Sequence, residues 1–144
     1  MDEDFDQAGI RNLIPQRQPI EMINHFQCGD SDNCSSWFVI DEDCFFNRER
    51  NMMDVGILEN MAQTAAALAG WESVRRGGTV KPGYIGEFRK VEIMRAAKNG
   101  ETVVTKLHII AQAEAVTLAE VVSLVGSEVI ARGQIKIFID EKRA

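Results

Sequence analysis

Residues 55–71, VGILENMAQTAAALAGW, constrain the fold of this chain more than any other stretch. Their apolar and small side chains leave no sharp polar face, which is typical of a helix buried on most of its sides. Glu59 lies in this helix, and Gln63 follows at i+4, where its amide can reach the carboxylate. Because a carboxylate is costly to bury, we expect Glu59 to be paired, to lie at the rim, or to serve chemistry.

Composition indicates one globular domain, residues 1–144, in which residues 1–9 are expected to be flexible. The net charge of −6 argues against a nucleic-acid partner. The N-terminus is acidic, and no apolar run approaches the ~18 residues of a membrane span, so we expect a cytoplasmic protein without a membrane partner. Cys28, Cys34 and Cys44 lack metal spacing and are interpreted as reduced thiols. Only His25 and His108 could add imidazole ligands to these cysteines, so no metal and no cofactor are expected.

Local patterns predict the elements before the long helix. A short helix over residues 9–14 should end at Pro15, because proline disfavours helical geometry in the residue before it. Residues 20–27 and 36–40 are predicted to form a hairpin around the turn-forming residues 29–33. Residues 41–50 are predicted to be irregular. Asp54 then either caps the long helix or complements its dipole.

After the helix, which should end near Arg75 ahead of two glycines, the pattern changes to short strands. These strands are predicted over residues 83–88, 91–97, 102–111, 115–125 and 128–139. Asn99-Gly100 and Gly126-Ser127 are strong hairpin turns, so the strands should form an antiparallel meander. The predicted fold is therefore α+β, a hotdog fold in which an antiparallel curved sheet of five to seven strands wraps around one long buried helix.

Four segments in this order resemble the beta-hydroxyacyl-[acyl carrier protein] dehydratase family of the hotdog superfamily. Residues 13–19, LIPQRQP, are similar to that family's opening L-P-H-R-x-P. Residues 57–63, ILENMAQ, resemble its helix signature, in which a Glu precedes an A-Q dipeptide. Residues 84–91 resemble the next strand, which carries basic residues, and residues 126–137 resemble the final hairpin. The likeness covers nearly the whole chain.

The resemblance implies an acyl thioester of acyl carrier protein or coenzyme A as ligand, and a homodimer or an assembly of dimers. In that family a histidine removes the alpha proton of a 3-hydroxyacyl thioester and the helix Glu, from the opposite subunit, protonates the departing hydroxyl. A backbone N–H near the helix start holds the thioester oxygen. The resemblance also implies three sets of site residues in this chain. The catalytic residues would be Glu59 and Gln63, and the substrate-binding residues would be Phe45, Asp54, Val55 and Gly56. The contacts with a carrier protein would be Arg89, Lys90 and Arg95.

The chain departs from this family at the histidine. Aligned back from Glu59 without gaps, the family's histidine falls on Phe45, and His25 and His108 are interpreted as ordinary strand residues. Three functions remain open. The first is a divergent or inactive dehydratase of fatty-acid or related lipid or polyene biosynthesis. The second is an acyl-thioester hydrolase using Glu59. The third is a non-catalytic acyl or carrier-protein binding subunit, which could supply Glu59 to another chain that supplies the base.

Overall fold

A curved antiparallel sheet of seven strands packs against one long helix in the computed structural model, which describes residues 2–77 and 83–139. The predicted hotdog architecture is confirmed. In chain order the elements are β1 (Glu3–Phe5), α1 (Gln7–Ile10), β2 (His25–Cys28), β3 (Asn33–Val39), β4 (Asn47–Arg48), β5 (Asn51–Met52), α2 (Asp54–Arg75), β6 (Gly83–Ile93), β7 (Thr102–Ala113), β8 (Val116–Val125) and β9 (Glu128–Ile139).

The main sheet has the strand order β1-β2-β3-β7-β8-β9-β6, and β4 and β5 form a separate small hairpin. Successive side chains of a strand point to opposite faces, so each strand buries alternate residues against α2. In β3, Cys34, Ser36 and Phe38 are buried, whereas Ser35 and Trp37 lie on the more exposed outer face. Strand β8 pairs antiparallel with β7 on one side and with β9 on the other, so the predicted meander is observed in these three strands.

The helix α2 is buried along most of its length. Its N-cap residue, Met53, makes no side-chain capping bond, so Asp54 in the first turn complements the dipole instead of capping the helix. A Cβ at Gly70 would lie 2.2 Å from the carbonyl oxygen of Leu13, so the missing side chain lets the N-terminal segment pack directly onto α2. None of the described helices is long and apolar enough to cross a membrane.

Several element boundaries differ from the sequence prediction. The strand predicted over residues 20–27 begins only at His25, because the backbone of residues 20–22 bonds to side chains of α2 and not to a neighbouring strand. The segment 41–50, predicted to be irregular, contains β4 and leads into the turn between β4 and β5. In place of the two strands predicted over residues 83–88 and 91–97 there is one strand, β6, which ends at Ile93 and whose pairing with β9 is interrupted by register shifts. Residues 3–5, expected to be flexible, pair with β2 as β1.

Candidate active site

Glu59 lies at the half-exposed rim of α2. The side-chain amide of Gln63 donates a hydrogen bond of 3.0 Å to Oε1 of Glu59, which is the i+4 contact that the sequence predicts. Oε2 of Glu59 makes no hydrogen bond within the part of the chain that the structure describes. One carboxylate oxygen is therefore held by the protein, and the other is left for a ligand.

Gln63 is fully buried, and its partners determine which way its amide points. Its Oε1 accepts a hydrogen bond from the backbone N–H of Met22 at 2.7 Å, and its Nε2 donates to the carbonyl oxygen of Ile20 at 2.9 Å. A backbone N–H can only donate and a carbonyl can only accept, so the amide cannot be flipped. Gln63 must then donate to Glu59, and a proton on that carboxyl group would reside on the free Oε2.

Asn60 is a further buried polar residue of α2 that the sequence analysis missed. Its Nδ2 donates to the carbonyl oxygen of Met22 at 2.8 Å, and its Oδ1 accepts from the hydroxyl of Thr105 at 2.7 Å. Together with Gln63 it satisfies both backbone groups of Met22. The sequence contained a signal for this role, because Asn60 places a polar amide in an otherwise apolar helix. A buried amide requires a hydrogen-bonding partner.

The four predicted substrate-binding residues lie around the start of α2. Val55 is 53% exposed and shares the outer helix face with Glu59, four residues later. Phe45 is also 53% exposed, and its ring packs edge-on against Phe46. The amide of Gly56 is occupied, because it donates to the carbonyl of Met53 at 2.8 Å. A Cβ at Gly56 would approach Phe46 and Met52 within 3.0 Å, so this glycine serves close packing.

The amides of Asp54 and Val55 make no hydrogen bond within the described residues. Such free N–H groups at a helix start favour developing negative charge. The exposed carboxylate of Asp54 would oppose an anion there. The free backbone amide of Val55, unlike that of Gly56, is therefore available at the helix start.

The three basic residues predicted to contact a carrier protein are not equally available. Arg95 bonds to Glu101 at 2.8 Å and to Glu128 at 3.0 Å, and its guanidinium lowers the pKa of both carboxyl groups. Arg89 lies 3.3 Å from Glu87. Lys90 is exposed, with a φ of 52°. The contact with a carrier protein remains a prediction, and it now depends on Arg89 and Lys90 because Arg95 is engaged within the chain.

Both histidines of the sequence lie on the sheet face that points away from α2. His25 alternates with the buried Phe26, and its ring lies 3.0 Å from Asp4. His108 follows the buried Leu107 and bonds to Asn33 at 2.7 Å. Neither imidazole faces Glu59, so this chain does not bring its own histidine to the carboxylate.

The three cysteines are free thiols. Cys28 and Cys34 face each other across β2 and β3, and burial raises the pKa of Cys28 to about 12 and that of Cys34 well above its ordinary value. Thiols that stay protonated are poor nucleophiles and poor metal ligands. Among the residues that the structure describes, no three His, Cys, Asp or Glu side chains come together as metal ligands.

A model of the ApeP-like family, described as ApeP dehydratase, matches residues 8–144. The chain therefore belongs to the ApeP-like dehydratase family. The resemblance to hotdog dehydratases stated from the sequence is confirmed. A search of curated protein sequences found no match to this ApeP-like chain.

Solved structures share the fold of this ApeP-like chain. The dehydratase heterocomplex ApeI:P from Xenorhabdus doucetiae matches with a TM-score of 0.84 at 16% identity, covering 93% of this chain and 92% of the other. Cj0977, a sigma28-regulated virulence protein from Campylobacter jejuni, matches with a TM-score of 0.69 at 13% identity, covering 90% and 84%. A hypothetical thioesterase with coenzyme A from Streptococcus pneumoniae TIGR4 matches with a TM-score of 0.65 at 9% identity, covering 78% and 82%.

Proposed function

We propose that this chain supplies Glu59 as the acid of a composite dehydratase site whose base belongs to a second hotdog chain. The ligand would be a 3-hydroxyacyl thioester on a carrier protein or coenzyme A. The observation that carries the proposal is the separation of the acid from both imidazoles. Glu59 has one free oxygen at the rim of α2, whereas His25 and His108 lie on the opposite sheet face. The similar structure described as a dehydratase heterocomplex supports a two-chain arrangement.

The chemistry divides naturally between two chains. A base on the second chain takes the alpha proton, and the electron pair of that C–H bond forms the double bond between the alpha and beta carbons. The C–O bond to the hydroxyl breaks, and the proton on Oε2 of Glu59 goes to the departing oxygen, which leaves as water. The free amide of Val55 would stabilise negative charge on the thioester oxygen.

The chain offers two surfaces for such a partner. Strand β6 is at the end of the sheet order, so one of its edges has no partner strand among the described residues and can add a strand. Three large apolar side chains are exposed near the start of α2, namely Phe45, Met53 and Val55. The homodimer expected from the sequence would bring together two carboxylates and no imidazole on the helix side. A heterodimer is therefore the assembly that we favour.

The test is to co-express this chain with a hotdog chain from the same cell that carries a histidine before its buried helix. Dehydration of 3-hydroxyacyl thioesters is followed by the absorbance of the 2-enoyl product. We expect no activity from this chain alone and activity from the complex. Glu59→Gln should lower kcat of the complex by about 100-fold or more. Glu72→Gln, a matched change on the same helix, should leave kcat within about twofold.

Other outcomes separate the remaining functions. Release of free thiol from an acyl thioester by this chain alone, abolished by Glu59→Gln, would favour a hydrolase and contradict the composite site. Full activity of the complex carrying Glu59→Gln would show that Glu59 is not the acid. A complex that binds an acyl carrier protein without turning over any 3-hydroxyacyl chain would favour a binding subunit.

A further inference from the structure

Three hydroxyl side chains cross the concave face of the sheet, where an apolar row is expected. Ser36, Thr105 and Ser123 are directly paired in register on β3, β7 and β8, and all three are fully buried. Burying a hydroxyl group is unfavourable unless it is hydrogen-bonded, so each one needs a partner beneath α2. The partners divide the row into two branches, one that reaches the backbone carbonyl of Asn60 through Thr64 and one that reaches the Asn60 side chain directly.

The first branch ends on the helix backbone. The hydroxyls of Ser36 and Thr64 lie 2.7 Å apart, and Thr64 donates to the carbonyl oxygen of Asn60 one turn earlier. This branch attaches α2 to β3. Among the hydrogen bonds of the described residues, this branch meets Asn60 only at the backbone carbonyl and does not involve the Asn60 side-chain amide.

The second branch continues to the carboxylate. Thr105 donates to Oδ1 of Asn60, so between Thr105 and Ser123, which lie 2.7 Å apart, Ser123 must be the donor. Nδ2 of Asn60 then donates to the carbonyl of Met22. The N–H of Met22 donates to Gln63, and Gln63 donates to Glu59. Every bond has its donor on the side away from Glu59, so the chain of hydrogen bonds ends with the Gln63 amide directed at Oε1 of the carboxyl group.

We propose that Thr105 and Asn60 are positioning residues for Glu59, acting through Met22 and Gln63. The role in catalysis rests on the proposed function, whereas the effect on the carboxylate does not. Because Asn60 and Gln63 hold the two backbone groups of Met22, a change in Asn60 moves the segment that orients the Gln63 amide. The hydroxyl of Thr105 donates a hydrogen bond to Oδ1 of Asn60. This bond fixes the orientation of the Asn60 amide, so that Nδ2 of Asn60 points at the carbonyl of Met22.

The test uses NMR spectroscopy of the full-length chain, with ¹³C in the Glu59 carboxyl carbon and ¹⁵N in the Gln63 side-chain amide. Thr105→Val keeps the shape and removes the hydroxyl. We expect it to shift both signals and to speed hydrogen exchange of the Gln63 amide by about tenfold. Thr64→Val, the matched control in the other branch, should leave both signals in place. Thr105→Ser should restore the wild-type spectrum.

Two results would overturn the proposal. One is a Thr105→Val spectrum in which the Glu59 and Gln63 signals stay at their wild-type positions. The other is an equal shift of those signals in Thr64→Val, which would show a general loosening of the helix. If Thr105→Val does not fold, Ser123→Ala provides the same comparison one bond further away. In an active complex, Thr105→Val should lower kcat and leave KM unchanged. A wild-type complex without dehydratase activity would count against the proposed function alone.

Discussion

At the scale of single residues, Gln63 both stabilises the fold and orients the candidate site. Its amide oxygen and nitrogen hold the backbone of Met22 and Ile20, and the same nitrogen contacts Glu59. A residue with this many obligatory partners stabilises the chain whether or not Glu59 is catalytic. Stability and activity must therefore be measured separately for any variant at this position.

We predict that Gln63→Leu lowers the free energy of unfolding by about 2–5 kcal/mol. The change leaves the N–H of Met22 and the carbonyl of Ile20 without a partner, and each buried unsatisfied group costs about 1–3 kcal/mol. Urea denaturation measures the difference. Gln112→Leu on the exposed part of β7 is the control, with an expected change within about 0.5 kcal/mol. A loss for Gln63→Leu no larger than that of the control would contradict the role assigned to the amide.

At the scale of elements, α2 is held by close backbone approach as well as by apolar burial. The carbonyl of Leu13 occupies the place where a side chain at Gly70 would begin. The small and apolar residues predicted the helix, and the glycines after Arg75 predicted its end, because both signals are local. It did not predict which backbone would lie against Gly70, because the N-terminal segment is distant in sequence.

Gly70→Ala should destabilise the protein, although Ala is the better helix former by about 1 kcal/mol. The new Cβ would force the Leu13 backbone away, and such overpacking costs about 1–3 kcal/mol. The melting temperature should therefore fall. Ala62→Gly, at a half-exposed position of α2 outside the apolar core cluster, calibrates the effect of helix propensity. A higher melting temperature for Gly70→Ala would show that the close contact with Leu13 does not form.

Arg95 joins the segment after β6 to Glu101 before β7 and to Glu128 in β9. Both carboxyl groups have a lowered pKa in the folded chain, so their ion pairs stabilise it fully above the ordinary value of 4.5. That contribution is lost as the pH falls through the lower folded values. We predict that Arg95→Met lowers the melting temperature at pH 7 and that its difference from wild type shrinks below about pH 4.5.

The control for this pH dependence is Arg132→Met, which breaks an exposed pair with Glu92. Exposed pairs contribute little, so its melting temperature should stay near that of wild type at every pH. A difference between Arg95→Met and wild type that persists undiminished at acidic pH would show that packing, and not charge, is the role of Arg95.

At the scale of the whole molecule, three features agree with the two-chain site that we propose. Its carboxylate lies at a rim, its histidines lie on the far sheet face, and one edge of β6 is unpaired within the sheet. An exposed apolar patch beside a polar group commonly marks a contact surface. The exposed side chains at the start of α2 meet that description.

We predict that Val55→Arg weakens association with the second hotdog chain and leaves the stability of this chain alone nearly unchanged. The side chain is 53% exposed, so the isolated chain loses little on its replacement, whereas a partner would have to bury the new charge. Size-exclusion chromatography with light scattering measures the complex. Val129→Arg, at the start of β9 and 38% exposed, is the control. Unchanged association of Val55→Arg would place the interface elsewhere, and equal weakening by both variants would show a general effect of the added charge.

The sequence by itself determined the architecture, the Glu59 and Gln63 pair, and the presence of Phe45 where the resembled family has its histidine. These follow from periodicity and from spacing within one helix, which are local properties. Tertiary structure decided that Gln63 and Asn60 hold Met22, about 40 residues away, that Arg95 is engaged in ion pairs, and that both imidazoles face away from Glu59. Such contacts depend on how distant segments pack, because a buried polar group takes whichever partner the fold brings within hydrogen-bonding distance.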